Sequence, residues 1–87
     1  MKANIEIYKI FDKQQITEKF AKREFIGKYK YNFQYPEFVK FEFQQGNCDI
    51  LDNWETGQFV TVEFDLRGRE WKNKQGELVY FNTLVAY

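Results

Sequence analysis

Residues 60–67 alternate without a break. Val60, Val62, Phe64 and Leu66 are apolar, and Thr61, Glu63, Asp65 and Arg67 are polar. A period of two puts one row of side chains on each face of a strand, so this segment predicts a strand with its apolar row turned inward. The pattern returns at residues 39–43, where Val39, Phe41 and Phe43 are separated by Lys40 and Glu42. Ten Phe, six Tyr and two Trp among 87 residues extend the same preference, because aromatic side chains fit a pleated, half-buried surface. A chain of this length buries only about 60% of its extended surface, so large rings must supply most of the core. Residues 1–87 are therefore read as a single all-β domain.

The remaining elements follow from weaker signals. Ile5, Ile7 and the Ile10–Phe11 pair predict a first strand, whose alternation breaks near Lys9 as at a bulge. Asp12 to Lys19 reads as a polar connection, with Ile16 and Phe20 as the marks of a short helical turn if one forms. A second strand is expected from Phe20 to Tyr31, with Gly27 allowing close approach by another backbone, before the Tyr35-Pro36 step ends it. The third strand runs from Phe38 to Phe43. Asn47 or Asp49 is placed to cap a short helix through Trp54, with Ile50, Leu51 and Trp54 as its apolar cluster and Gly57 as its stop. The alternating segment is the fourth strand, and its outward row continues through Arg69 and Trp71. Asn73–Gly76 supplies a hairpin turn. The fifth strand, Leu78 to Tyr87, has Tyr80, Asn82, Leu84 and Ala86 as its inward row. Its outward row of Phe81, Thr83, Val85 and Tyr87 is unusually apolar.

Five strands with a short helix between the third and fourth predict a five-stranded OB-fold barrel, with an SH3-like barrel as the competitor if the helix is absent. FAKREFIGKY at 20–29, Tyr35-Pro36 followed by VKFEF at 39–43, GQFVTVEFDLRGREW at 57–71 and YFNTLVAY at 80–87 carry a resemblance. Together they resemble a family of small bacterial proteins of uncharacterised function with a fold like that of single-stranded-DNA-binding proteins. Tyr8 before Lys9, and Gln45-Gly46 after the third strand, depart from that pattern. The resemblance implies the same OB-fold and leaves the ligand open.

Charge is segregated along the chain although 13 basic and 13 acidic side chains cancel overall. Residues 19–31 carry five basic groups against Glu24, and residues 67–74 carry four against Glu70. Between them, residues 37–65 hold seven acids and only Lys40. A zero net charge gives no overall attraction to nucleic acid, so any attraction must come from a local face. Strands two and three and the loops beside them form the usual nucleic-acid surface of an OB-fold. On that basis Lys22, Arg23, Lys28, Lys30, Lys40, Arg69, Lys72 and Lys74 are candidate phosphate contacts, and Tyr29, Tyr31, Phe38 and Trp71 are candidate stacking residues. The expected function is a non-catalytic module for single-stranded nucleic acid, DNA in first place, with weak sequence preference. The alternative is a protein-interaction or homo-oligomeric module, joined through strand five or a barrel edge. Solvated lysines, Trp71 flapped over a barrel rim, and Phe25, Val39, Phe41, Phe43, Phe64 and Leu66 as core are the structural counterparts of these assignments.

Other classes have little support. The chain has no histidine and no serine, which removes Ser–His–Asp and Cys–His catalysis and the common zinc sets. Asp49, Asp52, Glu63 and Asp65 show no spacing that singles out an acid–base pair, and charged strand faces account for them without magnesium. No enzyme activity, cofactor or metal is expected. Cys48 is the only cysteine, so no internal disulfide forms and a buried thiol is expected. No apolar run reaches membrane-spanning length, and MKANIEIYK lacks the apolar centre of a signal peptide, so a cytoplasmic, non-membrane location is expected.

Overall fold

Among the described residues, alternating apolar residues pair into a mixed sheet of six strands with one short helix. The computed structural model describes residues 1–29 and 35–87. The strands are β1 (Lys2–Ile10), β2 (Gln14–Thr17), β3 (Phe20–Tyr29), β4 (Glu37–Gln44), β5 (Phe59–Lys72) and β6 (Leu78–Ala86). A 3₁₀ helix, Gln45–Asn53, joins β4 to β5. The sheet order is β1-β5-β6-β4-β3-β2, with a further antiparallel pairing of β1 to β3. All pairings are antiparallel except β4 to β6, which meet through one parallel bridge, Glu42 to Val85.

This arrangement corrects the five-stranded OB-fold barrel. The polar stretch expected to be a connection forms a strand of its own, in which Gln14 faces Lys22 and Thr17 faces Phe20. Strand β2 is exposed throughout, so it carries no buried alternation to betray it. The junction of β4 and β6 is a single bridge rather than a ladder. The chain therefore forms a six-stranded mixed sheet, not a β-barrel of five.

Where rings alternate with polar groups, the expected faces hold. Phe25, Phe41 and Phe43 are buried, and the Phe25 ring stacks on both neighbours at centroid distances of 5.3 and 5.4 Å. Ile5, Ile7, Leu51, Val62 and Ala86 complete the buried cluster. The break in β1 lies between Ile7 and Lys9, which face Gly27 and Ile26, so Tyr8 is the extra residue. A methyl group on Gly27 would overlap the Ile5 side chain, reaching 3.1 Å from its Cβ and 3.2 Å from its Cγ1. Glycine is needed there for close contact between β1 and β3.

The helix starts earlier than expected and without a side-chain cap. Asn47 and Asp49 lie inside it, and Trp54 is its C-terminal cap, donating its N–H to the Leu51 carbonyl at 3.2 Å. Gln45 opens it in the left-handed region at φ 55°. Its amide holds that conformation by accepting from the Ala21 N–H at 3.2 Å and donating to the Lys19 carbonyl at 2.8 Å. The β2–β3 hairpin is thereby tied to the end of β4.

The last two strands outrun the core. Leu66 was expected inside, as were Tyr80 and Asn82, yet all three are exposed. From Arg67 to Lys72, β5 pairs only with β6, and the two form a projecting arm. The turn at its tip is built by Asn73, whose Oδ1 accepts from the N–H groups of Gln75 at 3.0 Å and Glu77 at 2.9 Å. Gly76 closes it at φ 82°, a conformation that favours glycine.

Candidate nucleic-acid interface

Cross-strand register decides which candidates share a surface. Opposed residues of an antiparallel pair project to the same face. Lys22 faces Gln44, Ile26 faces Lys40 and Lys28 faces Phe38, so Lys22, Lys28, Phe38 and Lys40 lie on the side away from the core. Glu42 belongs to this row and bridges to Val85 of β6, which in turn faces Asp65. The row then continues along the arm as Arg67 with Thr83, Arg69 with Phe81, and Trp71 with Val79. Six of the candidates therefore share one face: Lys22, Lys28, Phe38, Lys40, Arg69 and Trp71.

An open groove of about 560 Å³ runs between the two parts of this face. One wall is Ile16, Phe20, Lys22, Glu42 and Gln44; the other is Arg67, Gly68, Arg69, Phe81, Thr83 and Val85. Arg69 has no ion pair among the described residues, and its guanidinium carbon stands 5.9 Å from the centre of the Phe81 ring. Phe81 and Trp71 are each 49% exposed, so both rings can be reached from solvent. Arg67 and Phe81 were not among the sequence candidates, although they share the parity of Arg69 and Trp71 on their strands.

Acids temper the charge of this surface. Glu24 takes both Lys40 at 3.4 Å and Lys22 at 3.9 Å, and Asp65 takes Arg67 at 3.6 Å. Glu42 is buried in the floor and accepts from Gln44 Nε2 at 2.9 Å. The exposed Arg67–Asp65 pair contributes about 0–1 kcal/mol, so a phosphate can compete for that cation, whereas Glu24 is half-buried and holds its lysines more firmly. The positive surplus is small and centres on Arg69.

The other candidates fall elsewhere. Arg23 projects to the core side, where its guanidinium donates to Asp52 Oδ1 at 2.7 Å and to the Phe11 carbonyl at 2.8 Å. It is a clamp joining β1, β3 and the helix. Replacing Arg23 with alanine is expected to lower stability by about 1–3 kcal/mol, since a part-buried carbonyl and the Asp52 carboxylate both lose their charged donor. Urea unfolding checks the loss, and nucleic-acid binding measured below the transition should be unchanged. Tyr29 packs against the core cluster, also on the inward parity. Phe38 is half exposed with its ring edge-on to Tyr8, the centroids 4.7 Å apart. Lys72 lies on the opposite face of the arm, opposed to Leu78, and Lys74 sits in the turn. Lys30 and Tyr31 lie outside the described residues.

Cys48 is buried, with its thiol 3.5 Å from the Phe43 carbonyl, and burial pushes the thiol pKa up. A protonated, enclosed thiol is a packing group rather than a nucleophile. Among the described residues no group of three or more acids and cysteine could hold a metal ion, and no helix is long and apolar enough to cross a membrane.

No curated protein matched the chain. A protein-family model did, over residues 3–87, and its description is a domain of unknown function, DUF3127. That match corrects the expected resemblance to a bacterial family of uncharacterised function with an OB-fold like that of single-stranded-DNA-binding proteins, as the six-stranded sheet corrects the barrel. By a match that spans nearly its whole length, this β-rich chain belongs to the DUF3127 family.

Proposed function

We propose that the groove between the β3–β4 face and the β5–β6 arm binds single-stranded nucleic acid, with little base preference. The observation that carries this reading is Arg69, a cation without an acidic partner among the described residues, lying over the half-exposed Phe81 ring on the groove wall. A base stacked on Phe81 or Trp71 would place its phosphate within reach of Arg69, and Lys22 stands on the facing wall. Stacking is indifferent to base identity, and guanidinium–phosphate contacts carry no sequence information. Glu42 in the groove lining, with Glu24 and Asp65 paired to the neighbouring cations, keeps the affinity modest and the salt dependence shallow.

Fluorescence anisotropy of a labelled oligothymidine and a labelled oligouridine at low salt tests the proposal. Saturable binding in the tens of micromolar is expected, with log K falling against log salt at a slope of about −1 to −2, as two or three phosphate contacts require. Phe81→Ala and Arg69→Glu should each weaken binding about tenfold or more, in line with about 1–3 kcal/mol per stacked base. Absence of saturable binding to either oligonucleotide would sink the reading.

A further inference from the structure

Several strand segments present an edge with no backbone bridge among the described residues, and three of them are guarded very differently. Strand β2 is only four residues long and polar. The outer edge of β5, beyond its pairing with β1, runs through Arg67, Arg69, Glu70 and Lys72. Short length and charged side chains are the usual devices that stop an edge from recruiting another chain. Strand β6 has neither. Its residues Leu78–Thr83 contain no charge, no proline and no glycine, and their register with β5 is continuous, with no bulge. Their other edge has no backbone bridge among the described residues, because the one between β4 and β6 lies further along, at Val85.

We propose that this edge of β6 pairs antiparallel with β6 of a second copy of the chain, about a two-fold axis at Tyr80. The register follows from the side chains. With Tyr80 opposite Tyr80, Val79 faces Phe81 of the second copy and Leu78 faces its Asn82. Aromatic and β-branched residues placed opposite each other stabilise antiparallel pairs, and no like charges meet anywhere in this segment. A two-fold axis makes the contact self-complementary, so it closes at two copies. Centring on Tyr80 keeps the pairing within Leu78–Asn82, clear of the Val85 junction with β4. The zero net charge of the chain adds no long-range repulsion between copies. A second copy fits better than a foreign strand because the uncharged segment complements itself in both position and chemistry. The expected self-association of the last strand is thus assigned to its edge, and it is independent of the nucleic-acid reading.

Five paired residues per copy bury well below the ~800 Å² per partner of a standard interface, so a weak, concentration-dependent dimer is expected. Sedimentation equilibrium of the full chain from about 5 to about 500 µM should show the mass rising from 10.7 kDa towards twice that value. Hydrogen exchange should show those amides of Leu78–Asn82 that point away from β5 gaining protection as concentration rises. Tyr80→Lys puts two ammonium groups face to face at the axis, on a residue that is 68% exposed, and should abolish both effects. Leu66→Lys, at an exposed site off the edge, should leave both intact. A monomer at every concentration, leaving the edge to a foreign strand, would overturn the proposal. So would a Tyr80→Lys chain that still dimerises, a Leu66→Lys chain that does not, or protection that ignores concentration.

Discussion

Replacing Phe25 with alanine is expected to cost about 3–5 kcal/mol, the range seen when a large buried ring is deleted from a core that cannot collapse around the gap. Phe25 has no exposed surface. Its ring stacks on Phe41 and Phe43 and meets the edge of Trp54 at 5.7 Å, so three neighbours lose contact together. Domains of this size are held by about 0.05–0.15 kcal/mol per residue, which for this chain comes to roughly 4–13 kcal/mol. The substitution therefore removes about a quarter or more of the stability, and at the lower end nearly all of it. A urea titration followed by tryptophan emission measures it directly, because Trp54 reports on the same cluster. A loss below about 1 kcal/mol would mean that Phe25 is not the centre of the core.

Gly27→Val should destabilise the chain by about 1–3 kcal/mol through overpacking. The added carbon meets not only the flexible end of Ile5 but also its Cβ and Cγ1, at 3.1 and 3.2 Å. Those inner atoms cannot swing aside without moving β1. Gly27 faces Ile7 on β1 and Val39 on β4, so the displacement reaches strands on both sides of β3. The double variant Gly27→Val, Ile5→Val separates steric crowding from lost backbone freedom. Trimming Ile5 should recover part of the loss if crowding is the cause, and recover nothing otherwise. Thermal unfolding of the two variants and the parent chain is sufficient to read the difference.

The parts of this fold that were legible in the sequence are those where burial and periodicity coincide. Val39, Phe41 and Phe43 alternate with charged neighbours, and their inward face could be read from the residues alone. The same rule failed along β5 and β6 for a definite reason. A period of two says which residues share a face, but not whether anything lies opposite that face. Leu66, Tyr80 and Asn82 keep the correct parity and still meet solvent, because the arm extends past the core. Strand β2 escaped for the converse reason: with both faces wet, QQIT has no alternation to show. Arg23 was read as a phosphate contact from its charge. Its parity, shared with Phe25, was the signal that it points inward.

The groove was only half visible. Lys22 and Arg69 were chosen on separate segments, and only the bridge of Glu42 to Val85 brings those segments onto one surface. No local pattern encodes that meeting. Arg67 and Phe81 could have been added from parity with Arg69, once β5 and β6 were known to be paired in the observed register.

The placement of β1 also governs how quickly the chain can assemble. Lys2 faces Glu63 and Glu6 faces Phe59, so the first strand must find a mate that is synthesised near the far end of the molecule. Hairpins such as β5–β6 can close early over short loops, whereas contacts between remote segments are formed late and set the overall rate. Folding is accordingly expected on a millisecond-to-second scale, with the pairing of Lys2–Glu6 to β5 among the last contacts to form, after the second half of β1 has met β3.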